Sequence, residues 1–170
     1  PTDDFAFSVC RIVPENNIRT ILNAFKKVNK FIVFVGNWYD SDYGLSIWQE
    51  YNEVPCIKLI NPIYDQKELD ALRSNCNLYV HGHSAGGTNP SLVEAMKLGL
   101  KIICFDVNFN RETLGGKGLF FNNSESLVNI LNKENYPKEL IEFHINFADT
   151  NYSWEKVSES YFQLFESLYK

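Results

Sequence analysis

Residues 79–99, YVHGHSAGGTNPSLVEAMKLG, place two histidines, two adjacent glycines, an Asn-Pro step and a glutamate between an apolar strand-like run and an apolar helix-like one. Gly86 and Gly87 let backbone N–H groups approach a ligand with no Cβ in the way. Asn89 is a helix cap, and Pro90 suits a first helical position. The free N–H groups of Gly87 and Thr88 and the dipole of the helix behind them attract an anion, most simply a phosphate. Glu94, about one turn further in, repels phosphate but accepts hydrogen bonds from sugar hydroxyls. A diphosphate joined to a ribose meets both demands. A plain glycine turn before a capped helix with a solvent-facing Glu reads equally well on these residues alone, since a Gly-rich turn is a weak motif.

Such a loop acts only if strands and helices hold it in place, and the rest of the chain supplies them. Short apolar runs alternate with amphipathic segments, the pattern of a parallel sheet wrapped by helices. Strands are expected at 5–12, 31–36, 56–60, 78–82, 101–106 and 118–121. Ile18, Ile21, Leu22 and Phe25 form an i, i+3, i+4, i+7 stripe, which predicts a helix after the first strand. Weaker stripes predict helices over 66–75 and 91–99, the latter stopped by Gly99. Three helices close the chain, the last capped by Ser153. The fold class is therefore α/β, a Rossmann-like doubly wound parallel sheet of about six strands with helices on both faces and the C-terminal helices packed on it.

Composition narrows the partners. The 170 residues are 45% hydrophobic and 15% aromatic, enough for one core, and carry a net charge of −5. No basic cluster exceeds the pair Lys26 and Lys27, which argues against nucleic acid. No run approaches the length of a membrane span and no leader pattern opens the chain, so it reads as cytoplasmic. Cys10, Cys56, Cys76 and Cys104 show no C-x-x-C spacing and read as reduced, buried thiols. The start at Pro1, without Met and just before a core-like strand, points to a piece of something longer. Trp38, Tyr39, Tyr43 and Trp48 read either as a partner surface or as core cover.

With these elements in place, the chain resembles the C-terminal, nucleotide-sugar-binding half of GT-B glycosyltransferases. Their motif, Glu-Gly-Phe-Gly-Leu-Pro-x-x-Glu-Ala before a helix, is matched by Gly87, by Glu94-Ala95 and by Gly99 at the helix end. CRIVPENNIRTILNAF is similar to that family's first strand, Arg and Pro-Glu-Lys-Gly turn, and FDVNFNRETLGGKGLFF to the loop and strand after the motif helix. The wording NPIYD, LDALRSN and YVHGHSAGGTNPSLVEAM most resembles bacterial polysaccharide glycosyltransferases, including rhamnosyltransferases acting on lipid-linked oligosaccharides. Two positions depart from the motif: Gly86 stands where the first Glu belongs and Asn16 where the Lys belongs.

The resemblance implies one nucleotide-sugar donor domain over 1–170, with the acceptor domain absent. It implies a nucleotide diphosphate sugar as donor and a lipid-linked or oligosaccharide acceptor held by that other domain. No further cofactor is implied, and membrane contact is at most peripheral, at the inner face. Arg11 would bind the donor diphosphate, alongside the N–H groups of Gly87 and Thr88, and Glu94 the ribose. His83 would touch the donor sugar or phosphate, while His81 reads as packed and hydrogen-bonded. The two histidines lack a third short-range ligand, so no metal is expected. Tyr64 either flanks the nucleobase or covers the sheet rim. Arg111 and Lys117 are reserves for the charge lost at Asn16, or solvated surface residues. The complete donor set is Arg11, Asn16, Tyr64, His83, Gly86, Gly87, Thr88, Asn89 and Glu94. A stand-alone nucleotide-binding or regulatory Rossmann-like module, or a scaffold that has lost its chemistry, are the competing readings. A response regulator would need acidic residues at the first strand end, where Arg11 stands.

Overall fold

A computed structural model describes residues 4–133 and 136–169. Pro1, on which the reading of an excised piece rests, and Lys170, at the end of the last expected helix, lie outside them. Six short strands, β1 (Ala6–Val9), β2 (Ile32–Val35), β3 (Ile57–Ile60), β4 (Leu78–His81), β5 (Ile102–Phe105) and β6 (Leu119–Phe121), each fall inside one of the expected runs. They form one parallel sheet in the order β3-β2-β1-β4-β5-β6.

The strands are apolar on both faces because both faces are covered. Ala6, Ile32, Phe34, Val80 and Ile103 pack under α1 (Ile18–Val28), α2 (Asp42–Tyr51) and α6 (Ser124–Leu131). Their neighbours Phe7, Val33, Val35, Tyr79, Ile102 and Cys104 turn the other way. They pack under α3 (Gln66–Asn75), α4 (Pro90–Lys97) and α7 (Lys138–Asn151). Full burial of a side chain such as Phe7 or Ile32, both at 0% exposure, contributes about 1.5–3 kcal/mol each.

Two helices escape the sequence pattern. α2 is capped by Ser41, whose Oγ accepts from Gly44 N at 3.1 Å. Its aromatic content hides the stripe. Trp38 is fully buried and donates to Ile60 O at 2.7 Å, with Tyr43 and Trp48 half-buried against the same core; core cover is the outcome, and only Tyr39 is well exposed. α5 (Asn108–Thr113) is too short and polar to show a period. At the C-terminal end α7 lies against α4, where Gly99 takes the left-handed conformation (φ 67°) beside Ile145. The last helix, α8 (Trp154–Leu168), is capped by Ser153 as expected, but it touches mainly α7 and buries none of its side chains.

All four cysteines are free, three buried and Cys10 partly so. Burial pushes the Cys10 thiol up to about 12 and Cys76 to about 11, so neither is a ready nucleophile.

Candidate functional site

Strand order reverses between β1 and β4, because β1 leads through α1 to β2 on one side while β4 pairs on the other. The loops leaving the two strands diverge there and open a crevice beyond their carboxyl ends. A cavity of about 190 Å³ occupies it, lined by Ser8, Val9, Cys10, Arg11, Asn16, His81, Gly82, His83, Asn89 and Ser91. A larger cavity, about 550 Å³, lies at the opposite end of the sheet among Phe25, Leu78, Ile103, Leu131 and Tyr136. That end faces away from the N-termini of the crossover helices, so the smaller cavity has the better chemistry for an anion.

The floor is built by close backbone contact. After β1, residues Pro14–Asn16 make a single 3-10 turn, and Asn17 follows in the left-handed conformation (φ 51°). This turn presses on the end of β4 so tightly that a Cβ at Gly82 would lie 2.1 Å from Asn16 O. Ser84 N and Oγ both donate to Glu15 O, at 2.9 and 2.7 Å, and Asn17 Nδ2 donates to Gly82 O at 2.9 Å. From the far side, the fully buried Asn110 donates to His83 O at 2.8 Å and Phe105 O at 2.9 Å. The loop is thus held from both flanks before any ligand arrives.

Asn89 caps α4 as expected, accepting from Ser91 N at 3.0 Å, with Pro90 next. Gly87 and Thr88 are exposed at its mouth, and a Cβ at Gly87 would meet nothing within 4 Å. Gly86 has φ 132°, and a Cβ there would lie 2.9 Å from His83 Nε2. Arg11 is exposed at the cavity wall and has no acidic partner among the described residues. Asn16 is buried and donates from Nδ2 to Arg11 O at 2.7 Å. Its Oδ1 lies 2.8 Å from His83 Nδ1.

His81 is 4% exposed, with Tyr79 Oη a long 3.5 Å from Nδ1 and Nε2 unpartnered. Burial lowers its pKa to about 3, so the ring stays neutral and offers no fixed positive charge. Burial and the Arg11 charge also lower the His83 pKa. Among the described residues no three His, Cys, Asp or Glu side chains converge as metal ligands.

Glu94 sits one turn beyond Ser91 on the same face of α4. Its Oε2 lies 2.7 Å from Arg73 Nη2, a close ion pair without hydrogen-bond alignment. Arg73, on α3, is almost fully buried and also pairs with Asp70 at 3.2 Å. Sequence reading passed over Arg73. Its signal was available: Leu69, Leu72 and Cys76 mark the inward stripe of α3, and Arg73 occupies an inward position among them.

Tyr64 is 90% exposed in the loop after β3 and covers no sheet rim. Arg111 forms two hydrogen bonds to Asp106, at 2.6 and 2.8 Å, and stacks 4.2 Å from the Phe120 ring centroid. Lys117 Nζ lies 4.3 Å from the Phe143 centroid. Neither cation lines the crevice.

The chain thus carries a Rossmann-like parallel sheet whose switch point opens beside the capped start of α4. Known structures share the fold. Sucrose-phosphate synthase from Thermosynechococcus elongatus matches 99% of this chain and 46% of its own, at 20% identity and TM-score 0.80. Anabaena HepE, solved with UDP and glucose, matches 96% and 48%, at 17% identity and TM-score 0.81. The isolated C-terminal domain of the group 1 glycosyl transferase LpcC from Francisella tularensis matches 88% and 87%, at 15% identity and TM-score 0.73. The present chain thus spans about half the length of the first two. No curated protein sequence matches it significantly. The sequence profile of "Glycosyl transferases group 1" matches residues 1–142, and the chain belongs to that family.

Proposed function

We propose that this chain is the donor-binding half of a glycosyltransferase and holds a nucleotide diphosphate sugar in the β1–β4 crevice. One observation carries the reading: Arg11 after β1 and the capped start of α4 after β4 meet at the crevice from two separate segments of the sequence, and Glu94 follows about one turn behind the cap. Arg11 and the N–H groups of Gly87 and Thr88 bind the diphosphate, and Glu94 accepts the ribose hydroxyls. The UDP and glucose held by HepE support this ligand class. When the bond from the sugar's anomeric carbon to the diphosphate oxygen breaks, the electron pair leaves with the diphosphate. Arg11 and the loop N–H groups then stabilise the charge that develops, in a site already organised for it.

The acceptor is a growing, lipid-linked bacterial polysaccharide, and the transferred sugar a hexose or rhamnose, as the wording of the motif suggests. Acceptor-side groups are assigned to a second domain that closes over the crevice and excludes water. Thermal shift against UDP-, dTDP-, GDP- and ADP-sugars tests the donor reading, since a ligand that binds only the native state raises its stability. At least one sugar nucleotide should raise Tm; no shift with any of them at millimolar concentration refutes it.

A further inference from the structure

Asn16 has two neighbours and two ends. Its Nδ2 donates to Arg11 O at 2.7 Å, and a carbonyl can only accept. Its Oδ1 therefore faces His83 Nδ1, 2.8 Å away, and an amide oxygen can also only accept. The imidazole proton is then fixed on Nδ1, and the lone pair on Nε2. Burial and the nearby Arg11 charge keep the ring neutral.

Nε2 faces the turn at Gly86. The left-side backbone (φ 132°) and the 2.9 Å approach of a Cβ to Nε2 leave position 86 without a side chain, so none from that residue shields the lone pair. Gly87 beyond it is open. Among the described residues no hydrogen bond reaches Nε2, while His83 O is pinned by Asn110 and the ring packs edge-to-face with Phe109, centroids 5.9 Å apart. The deeper His81, also lining the cavity, brings a second unpartnered Nε2. Phosphate oxygens at neutral pH are acceptors and gain nothing from a lone pair. A hydroxyl can donate to it.

We infer that Asn16 and His83 act as one unit, in which Asn16 fixes the tautomer and His83 Nε2 accepts a hydrogen bond from a hydroxyl of the donor's sugar. Asn16 and Gly86, the two departures from the motif, flank this same ring. The sugar contact rests on the donor reading above; the tautomer does not.

Long-range ¹H–¹⁵N spectra of the 170-residue chain at neutral pH read the tautomer directly. His83 should carry its proton on Nδ1, and Asn16→Leu should release it toward Nε2. A proton on Nε2 in the parent overturns the pairing. Calorimetry then compares the sugar nucleotide giving the largest thermal shift in the panel with its own nucleoside diphosphate. His83→Ala should weaken the sugar nucleotide about three- to tenfold and the nucleoside diphosphate less than about twofold. His83→Gln, whose amide oxygen can accept, should restore part of the difference. Equal effects on both ligands overturn the sugar contact. If no sugar nucleotide in the panel binds the parent, the donor reading and the sugar contact fall together, an outcome distinct from an unchanged His83→Ala.

Discussion

Removing Glu94 should cost more stability than removing the arginine it pairs with. The two side chains differ in surroundings: Arg73 is 5% exposed and Glu94 45%. Arg73→Met withdraws a buried charge whose Nε has no partner, so the desolvation it relieves offsets the lost ion pair. The expected net is about 0–1 kcal/mol, a value discounted because Glu94 and Asp70 are half-exposed and screened. Glu94→Gln instead leaves the guanidinium buried with one carboxylate fewer. Asp70 at 3.2 Å limits the damage, so the cost should be about 1–3 kcal/mol, below the full figure for a broken buried pair. In a domain of this size that is roughly 2–12 °C in Tm, read by circular dichroism in the ligand-free chain. The functional half of the same experiment is calorimetry on Glu94→Gln. Binding of a nucleoside diphosphate should weaken by about 1.5–3 kcal/mol, with pyrophosphate unaffected. Arg73→Met melting lower than Glu94→Gln would refute the electrostatic reasoning, and unchanged nucleotide binding in Glu94→Gln would remove the ribose role.

Arg11→Ala should weaken diphosphate binding by about 1.5–3 kcal/mol and leave nucleoside binding nearly intact; equal losses in calorimetry would move Arg11 out of the phosphate site. Gly86→Ala should cost about 1–3 kcal/mol in urea unfolding, from its positive φ and the clash with His83, whereas Gly87→Ala stays within about 0.5 kcal/mol. Matching losses at the two glycines would contradict the loop geometry. His81 has a folded pKa of about 3 against 6.5 unfolded, so the unfolded chain binds the extra proton and stability falls as pH drops through that window. The contribution between pH 6.5 and 5 is about 2 kcal/mol, and His81→Gln should show a correspondingly shallower decline in urea midpoint. Parallel declines in parent and variant would show that His81 does not titrate this way.

Much of the architecture was legible in local sequence. Each strand lies in a mostly apolar run that needs cover, so six runs announce six strands whatever their order. The β4–α4 loop was legible for the same reason: Asn89, Pro90 and Gly99 act on the backbone within a few residues of themselves. Of the two helices missed, α2 has a local cap at Ser41 but an obscured apolar stripe, while the stability of α5 is not local. α5 has no side-chain cap and six mostly polar residues, and Asn110 holds it by reaching back to Phe105 and His83. The site itself divides along this line. Arg11 and Glu94 stood out from spacing and resemblance, but what surrounds them was decided by strand order. The 3-2-1-4-5-6 arrangement sets the turn at Asn16 against the loop at His83, 67 residues away, and lays Arg73 of α3 beside Glu94 of α4. Backbone propensity is written into neighbours along the chain. Which buried polar atom meets which depends on how the elements stack, because a desolvated donor or acceptor must take its partner from whatever the fold brings within about 3 Å.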